Sequence, residues 1–186
     1  GYMTQNDHLL PWRTVAGNIA VPLEIRGARR SEIAHKVDEL VEFVGLKGFA
    51  NSYPLQLSGG MRKRTALARL LAYDPETLLL DEPFAALDAQ LRLYMQMELR
   101  RIVRALGKTT LFVTHDLDEA VALADRCAIF SPRPGTIKRV FSIPLPADRQ
   151  ISRLRHDPAY MAITASLWDE LAPATLAMFV QEDRPL

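Results

Sequence analysis

Leu57-Ser58-Gly59-Gly60-Met61 opens a helix-patterned run, Leu78-Leu79-Leu80-Asp81-Glu82-Pro83 follows it, and Ala86-Leu87-Asp88 closes the stretch. Ser58 is placed as an N-cap, and Leu67, Leu70 and Leu71 recur at helical spacing until Asp74-Pro75 stops the helix. Thr77 to Leu80 is a short apolar run ending in acids, the pattern of a buried parallel strand. Open α/β sheets bind ligands at the carboxyl ends of their strands. Asp81 and Glu82 are therefore the first candidates for chemistry. Alone, such a run is equally a strand entering a solvated acidic turn, and a lone Ser-Gly-Gly is more often a cap with no ligand. The two in order, at this spacing, favour a functional reading of both.

Upstream, Gly1 to Gln5 reads as the end of a strand running into a loop. Thr14 to Leu23 is helix-compatible, closed by Pro22 and the break at Gly27. Ser31 is the expected N-cap of a helix whose Ile33, Val37, Leu40, Val41 and Val44 share one face, ended by Gly45 and Gly48. Downstream, Asp88 caps a long helix with Leu91, Met95, Leu99, Ile102 and Leu106 inward, and Gly107 terminates it. Thr109 to Val113 is a second buried strand, and Asp116 caps a short helix through Ala124. Arg126 to Phe130 and Ile137 to Phe141 form a hairpin, where Pro134-Gly135 would supply fixed and then positive φ. Asp157 to Leu171 is the last helix.

Strands alternating with helices predict an α/β layered fold with a mostly parallel sheet. The run 14–73 reads as a helical subdomain inserted into that core. The expected organisation is one domain in four segments, 1–13, 14–73, 74–145 and 146–186, the last a helical extension.

Composition narrows the function. With 186 residues, 48% hydrophobic and 24% charged, the chain can bury a real core. A net charge of +1 gives no basic field for nucleic acid. No apolar run is long enough to span a bilayer, and Leu171 to Val180 is broken by Pro173. No charged-then-apolar leader suggests secretion. Cys127 is the single cysteine, which excludes an internal disulfide and fits a buried strand in a reducing cytoplasm. The start at Gly1 suggests a fragment of something longer.

Two further residues gain weight from position. His115 follows the strand after Asp81-Glu82, whereas His8, His35 and His156 read as surface residues. Gln5 precedes the helical subdomain. Gly107-Lys108-Thr109-Thr110 imitates the tail of a phosphate-binding loop. However, Ile102 stands where the first glycine should, and the segment precedes a strand instead of following one. Gly107 is better read as a helix C-cap, with Lys108 near the negative end of the dipole.

In this order the motifs resemble the ATP-binding subunit of ABC transporters, from Gln5 to about Phe141. The resemblance implies a P-loop NTPase-like core carrying the inserted helices and a C-terminal hairpin and helix. It implies that Asp81 holds Mg²⁺ through water and that Glu82 polarises the water attacking the γ-phosphate of ATP. Gln5 would sense Mg²⁺ and that water, and His115 would contact the γ-phosphate. Ser58, Gly59, Gly60 and Met61 would bind the ATP of the opposite subunit in a head-to-tail homodimer, and Asp88 would cross the interface. The family usually has Gln where Met61 stands; the phosphate contacts come mostly from the serine and the backbone. Implied partners are a transmembrane permease and, through it, a solute-binding protein, with no nucleic acid. The expected place is the cytoplasmic face of the membrane.

Leu9-Leu10-Pro11-Trp12, Pro83 to Asp88, Ser131 to Gly135 and the helix near Trp168 resemble the nitrate, sulfonate and taurine importer group. No G-x-x-x-x-G-K-[ST] occurs in the chain. The expectation is an N-terminally truncated domain that by itself binds ATP weakly or not at all. Two alternatives stay open. One is an ABC ATPase acting in DNA repair or translation; the short interval from Gln5 to Ser58, without sustained heptads, opposes a long coiled-coil insertion. The other is a non-catalytic degenerate subunit, opposed by intact Asp81, Glu82 and His115.

Overall fold

The computed structural model describes residues 1–85, 87–105 and 107–182, with the backbone alone over 174–182. Ala86, and Leu106 with its expected inward position, lie outside the described residues. The chain divides into two compact units, Gly1–Val113 and Thr114–Leu186.

The first unit is built on a three-stranded parallel sheet, β1 (Tyr2–Met3), β2 (Thr77–Asp81) and β3 (Thr109–Val113), in that order. Helices α1 (Val15–Ile25), α2 (Arg30–Phe43) and α3 (Gly59–Ala72) lie between β1 and β2, and α4 (Ala89–Ala105) joins β2 to β3. This is the α/β arrangement with inserted helices. The strands depart from the expected full burial. Met3, Leu78 and Leu80 point into the core, while Tyr2, Leu79 and Leu111 pair across the register and lie exposed, Leu111 at 62%. Successive side chains of a strand face opposite ways, so a sheet covered on one side buries only alternate residues.

Local chemistry explains most helix ends. Thr14 Oγ1 accepts from the Gly17 N–H at 3.1 Å and caps α1. Pro22 does not close α1; the helix continues to Ile25 and stops before Gly27, at φ +70°. Proline removes one ladder hydrogen bond, and here the contacts of α1 with α2 and α3 hold the helix through that loss. Helix α2 starts one residue before Ser31, with Arg29 as N-cap. The Glu32 carboxylate accepts the Arg29 backbone N–H at 3.2 Å, so the hydroxyl of Ser31 is not needed. Val37, Leu40, Val41 and Val44 are buried as expected, and Gly45, at φ +66°, ends the run. Gly107 takes φ +59° after α4, and Lys108 Nζ sits 2.8 Å from Asp74 Oδ1, a helix end and not a phosphate loop.

The second unit holds α5 (Leu117–Leu123), the antiparallel pair β4 (Arg126–Phe130) and β5 (Ile137–Ser142), and α6 (Pro158–Glu182). The hairpin is present, but its turn contains a cis Arg133–Pro134 bond and Gly135 does not take positive φ. Helix α6 runs through Pro173 to Glu182, well past the expected end at Leu171; alanine, leucine and methionine beyond Pro173 are strong helix formers. Buried Arg149 donates to the Ala122 and Ala124 carbonyls at 2.9 and 2.6 Å, satisfying the end of α5. Among the described residues no helix is long and apolar enough to cross a membrane.

Asn18 is fully buried and joins the loop before α1 to that helix. Its Oδ1 accepts from the Leu10 N–H at 2.8 Å, and its Nδ2 donates to the carbonyls of Leu10, Arg13 and Thr14. Replacing Asn18 by leucine leaves the Leu10 N–H and the Arg13 carbonyl without their side-chain partner, so we expect a loss of about 2–3 kcal/mol, read as a lowered urea midpoint.

Candidate nucleotide site

The first unit brings Gln5, Asp81 and Glu82 to the carboxyl end of β2. Asp81 pairs with Val113 at the end of the parallel ladder. The next N–H, of Glu82, still donates to the Val113 carbonyl at 2.9 Å. There the chain turns. Glu82 takes φ +46°, in the left-handed region that side chains with a Cβ avoid. Such backbone costs about 1–3 kcal/mol and clusters at functional sites. Pro83 and Phe84 are buried behind it, and the Phe84 ring meets that of Phe112 at 5.8 Å between centroids. The buried ring anchors a turn that presents Glu82. Gln5 leaves β1 and donates from Nε2 to Glu82 Oε2 at 3.1 Å.

Helix α3 supplies two features. Ser58 Oγ accepts from the Met61 N–H at 3.3 Å, so Ser58 is the N-cap and the Gly59-Gly60 turn opens the helix. A serine hydroxyl that accepts there keeps its own proton to donate. The departure at Met61 leaves this cap intact, because Met61 contributes its main chain. The second feature is a set of cations turned towards the loop after β1. Arg62 Nε meets Asp7 Oδ2 at 3.1 Å, and Arg69 donates to the carbonyls of His8 and Asp7 at 2.9 and 3.0 Å. Lys63 Nζ donates to the Gln5 carbonyl. Lys63 is 7% exposed, and burial lowers its pKa against the opposing pull of Asp7, Asp81 and Glu82. The sequence reading missed Asp7 and all three cations. Arg62 and Arg69 stand seven residues apart on one helical face, a signal that was legible. Lys63 carried none, since a lysine beside them reads as solvated.

Asp88 begins α4: its Oδ1 accepts from the Leu91 N–H at 3.0 Å. Its carboxylate also faces the partly buried guanidinium of Arg64, whose pKa burial lowers. His115 belongs to the second unit and is exposed beside the cap of α5. There Asp116 Oδ1 accepts from Asp118 and Glu119 N–H groups at 2.9 and 3.3 Å, and Thr114 Oγ1 donates to Glu119 at 2.8 Å. An open groove of about 430 Å³ in the same unit, lined by Leu117, Tyr160, Met161 and Trp168, holds none of the expected site residues.

The arrangement is that of a nucleotide-handling α/β domain, with an acidic pair closing a parallel strand and a glycine turn opening a helix. Residues 1–85 match the family model described as ABC transporter, and the chain belongs to the ABC transporter ATP-binding domains. It is 49% identical over 151 residues to an ABC transporter ATP-binding protein of Methanocaldococcus jannaschii, covering 80% of this chain and 57% of that protein. It is 44% identical to the aliphatic sulfonates import ATP-binding protein SsuB of Bacillus licheniformis, covering 91% and 64%. The sulfate/thiosulfate import ATP-binding protein CysA of Caulobacter vibrioides is 50% identical over 135 residues, covering 70% and 40%. The dimeric post-hydrolysis structure of the ATP-binding cassette MJ0796, bound to ADP and Pi, superposes with a TM-score of 0.71 at 33% identity, covering 78% and 63%. The chain thus spans less than two thirds of each of these proteins.

Phe84 is 1% exposed directly after the Glu82-Pro83 turn. Phe84→Ala leaves a cavity under that turn, and we expect a loss of about 3–5 kcal/mol, with Phe84→Leu recovering most of it in the same chemical denaturation.

Proposed function

We propose that this chain is part of the ATP-binding and ATP-hydrolysing subunit of an ABC importer, and that hydrolysis belongs to the full-length protein. The observation that carries the reading is the Gln5 amide on the Glu82 carboxylate, 3.1 Å apart at the end of β2. A carboxylate held by a neutral donor is aimed and still able to accept a proton. In this reading Glu82 takes the proton of the water that attacks the γ-phosphate of ATP. Asp81 and the side-chain amide oxygen of Gln5 are the donors for Mg²⁺. That ion keeps several waters and substrate phosphates, so one or two protein oxygens suit it. When bound, the ion neutralises charge on the phosphates.

Ser58, Gly59, Gly60 and Met61 offer a hydroxyl and helix-start N–H groups to the phosphates of ATP carried by the opposite copy in a homodimer. Asp88 is assigned to that interface and His115 to the γ-phosphate. The four segments 1–13, 14–73, 74–145 and 146–186 serve as the loop that senses the site, the helical subdomain, the α/β core and the C-terminal extension. The partners are a transmembrane permease and a solute-binding protein, with the subunit peripheral on the cytoplasmic face of the membrane. Relatives named for aliphatic sulfonate and sulfate/thiosulfate import support a small oxyanion-bearing solute such as nitrate, a sulfonate or taurine.

In the native subunit, Glu82→Gln keeps the shape and removes the proton acceptor. We expect kcat for ATP hydrolysis to fall at least about 100-fold, with ATP affinity unchanged in equilibrium titration. Undiminished turnover would remove Glu82 from this role.

A further inference from the structure

We propose that Lys63 is a positioning residue for the Gln5–Glu82 pair, tying the glycine turn of α3 to the carboxylate in the same subunit. The inference rests on the hydrolytic reading of Glu82 given above. Three observations lead to it. Lys63 is almost fully buried yet charged in character, on a helix whose outward positions were free to hold it in water. Its ammonium reaches 58 residues back to the Gln5 carbonyl. The side chain of that same residue donates to Glu82 Oε2 at 3.1 Å. Burying an ammonium is costly unless partners meet it; here the partners are a main-chain carbonyl and the field of Asp7, Asp81 and Glu82.

The chain of contacts therefore runs from Ser58, through less than two turns of α3, to Lys63, the Gln5 main chain, the Gln5 amide and Glu82. Arg62 and Arg69 hold Asp7 and His8, so the loop is also held just beyond this link. A fixed Gln5 backbone limits the positions its amide can take, and with them the direction of the Glu82 carboxylate. A displacement of α3 would carry the Gln5 carbonyl with it. A catalytic group misplaced by a fraction of an ångström loses rate without losing substrate affinity. Lys63 thus acts on kcat through Gln5, with its ammonium on the Gln5 main chain.

The test uses the native subunit with Lys63→Met, which keeps length and removes the donor, and Lys63→Arg, which restores a cation. Two readouts are taken: steady-state ATP hydrolysis, and amide hydrogen exchange of a peptide covering residues 4–10. We expect Lys63→Met to lower kcat about tenfold with KM for ATP within about twofold. Exchange in 4–10 should quicken, and Lys63→Arg should recover both. If Lys63→Met does not fold, Lys63→Gln, with a shorter donor, should fall between wild type and that pattern. Unchanged exchange overturns the proposal, whatever happens to turnover. Faster exchange with unaltered kcat overturns the positioning role. KM and kcat moving together, without rescue by arginine, marks a structural lysine and overturns it too. A wild-type subunit without ATP turnover sinks the hydrolytic reading instead, and the exchange of 4–10 still decides whether Lys63 holds the loop.

Discussion

The loop that leaves β1 has no ladder of its own, and the first unit depends on how its polar groups are met. Gln5, Asp7 and His8 present carbonyls and a carboxylate to α3, although Gln5 and His8 are otherwise exposed. Helix α3 answers with Arg62, Lys63 and Arg69. Hydrogen bonds from charged donors are stronger than neutral ones, so this set of cations fixes where the loop goes. Its consequence is chemical: once the loop is held, the Gln5 amide lands on Glu82. Packing of α1 on α3 and the buried Asn18 then bring the next stretch of chain against the same helix.

On the other side of the pair, the sheet performs the matching task. The β2–β3 ladder extends one residue beyond Asp81, to the Glu82 N–H, before the backbone enters left-handed space. Glu82 is therefore rigid at its main chain and steered at its side chain. A site on the end of a strand backed by a buried phenylalanine is better defined than one on a free loop, because neighbouring rotamers are locked. The second unit uses similar devices for a different end. Asp116 caps α5, Arg149 closes it, and Lys138 and Arg139 both meet Glu170 of α6 at 2.8 and 3.2 Å.

The relatives give this geometry its context. Identity of 44–50% to ATP-binding proteins of transporters runs over 135 to 170 residues. Yet the solute is not written in the site residues. Gln5, Ser58 and Glu82 face a common fuel in the proposed reading, so a sulfonate and a sulfate importer can share them.

The sequence by itself determined the features whose causes are local. Ser58, Asp88 and Asp116 were recognisable as caps because a short polar side chain bonds an N–H two or three residues away. Strand β2, its closing acids and the alternation of strands with helices were legible from periodicity, and so was the Gly107 helix end. Even some local reading failed: Ser31 looked like a cap, but Glu32 served Arg29, and α6 outran Pro173. Only the tertiary structure decided that Lys63 is buried, that Gln5 reaches Glu82 across 77 residues, and that one face of the sheet stays open at Leu79 and Leu111. A cap or a strand is fixed by neighbours in sequence. A buried cation, a left-handed glutamate and a covered sheet face are fixed by whatever distant chain folds against them, and no window of sequence contains both partners.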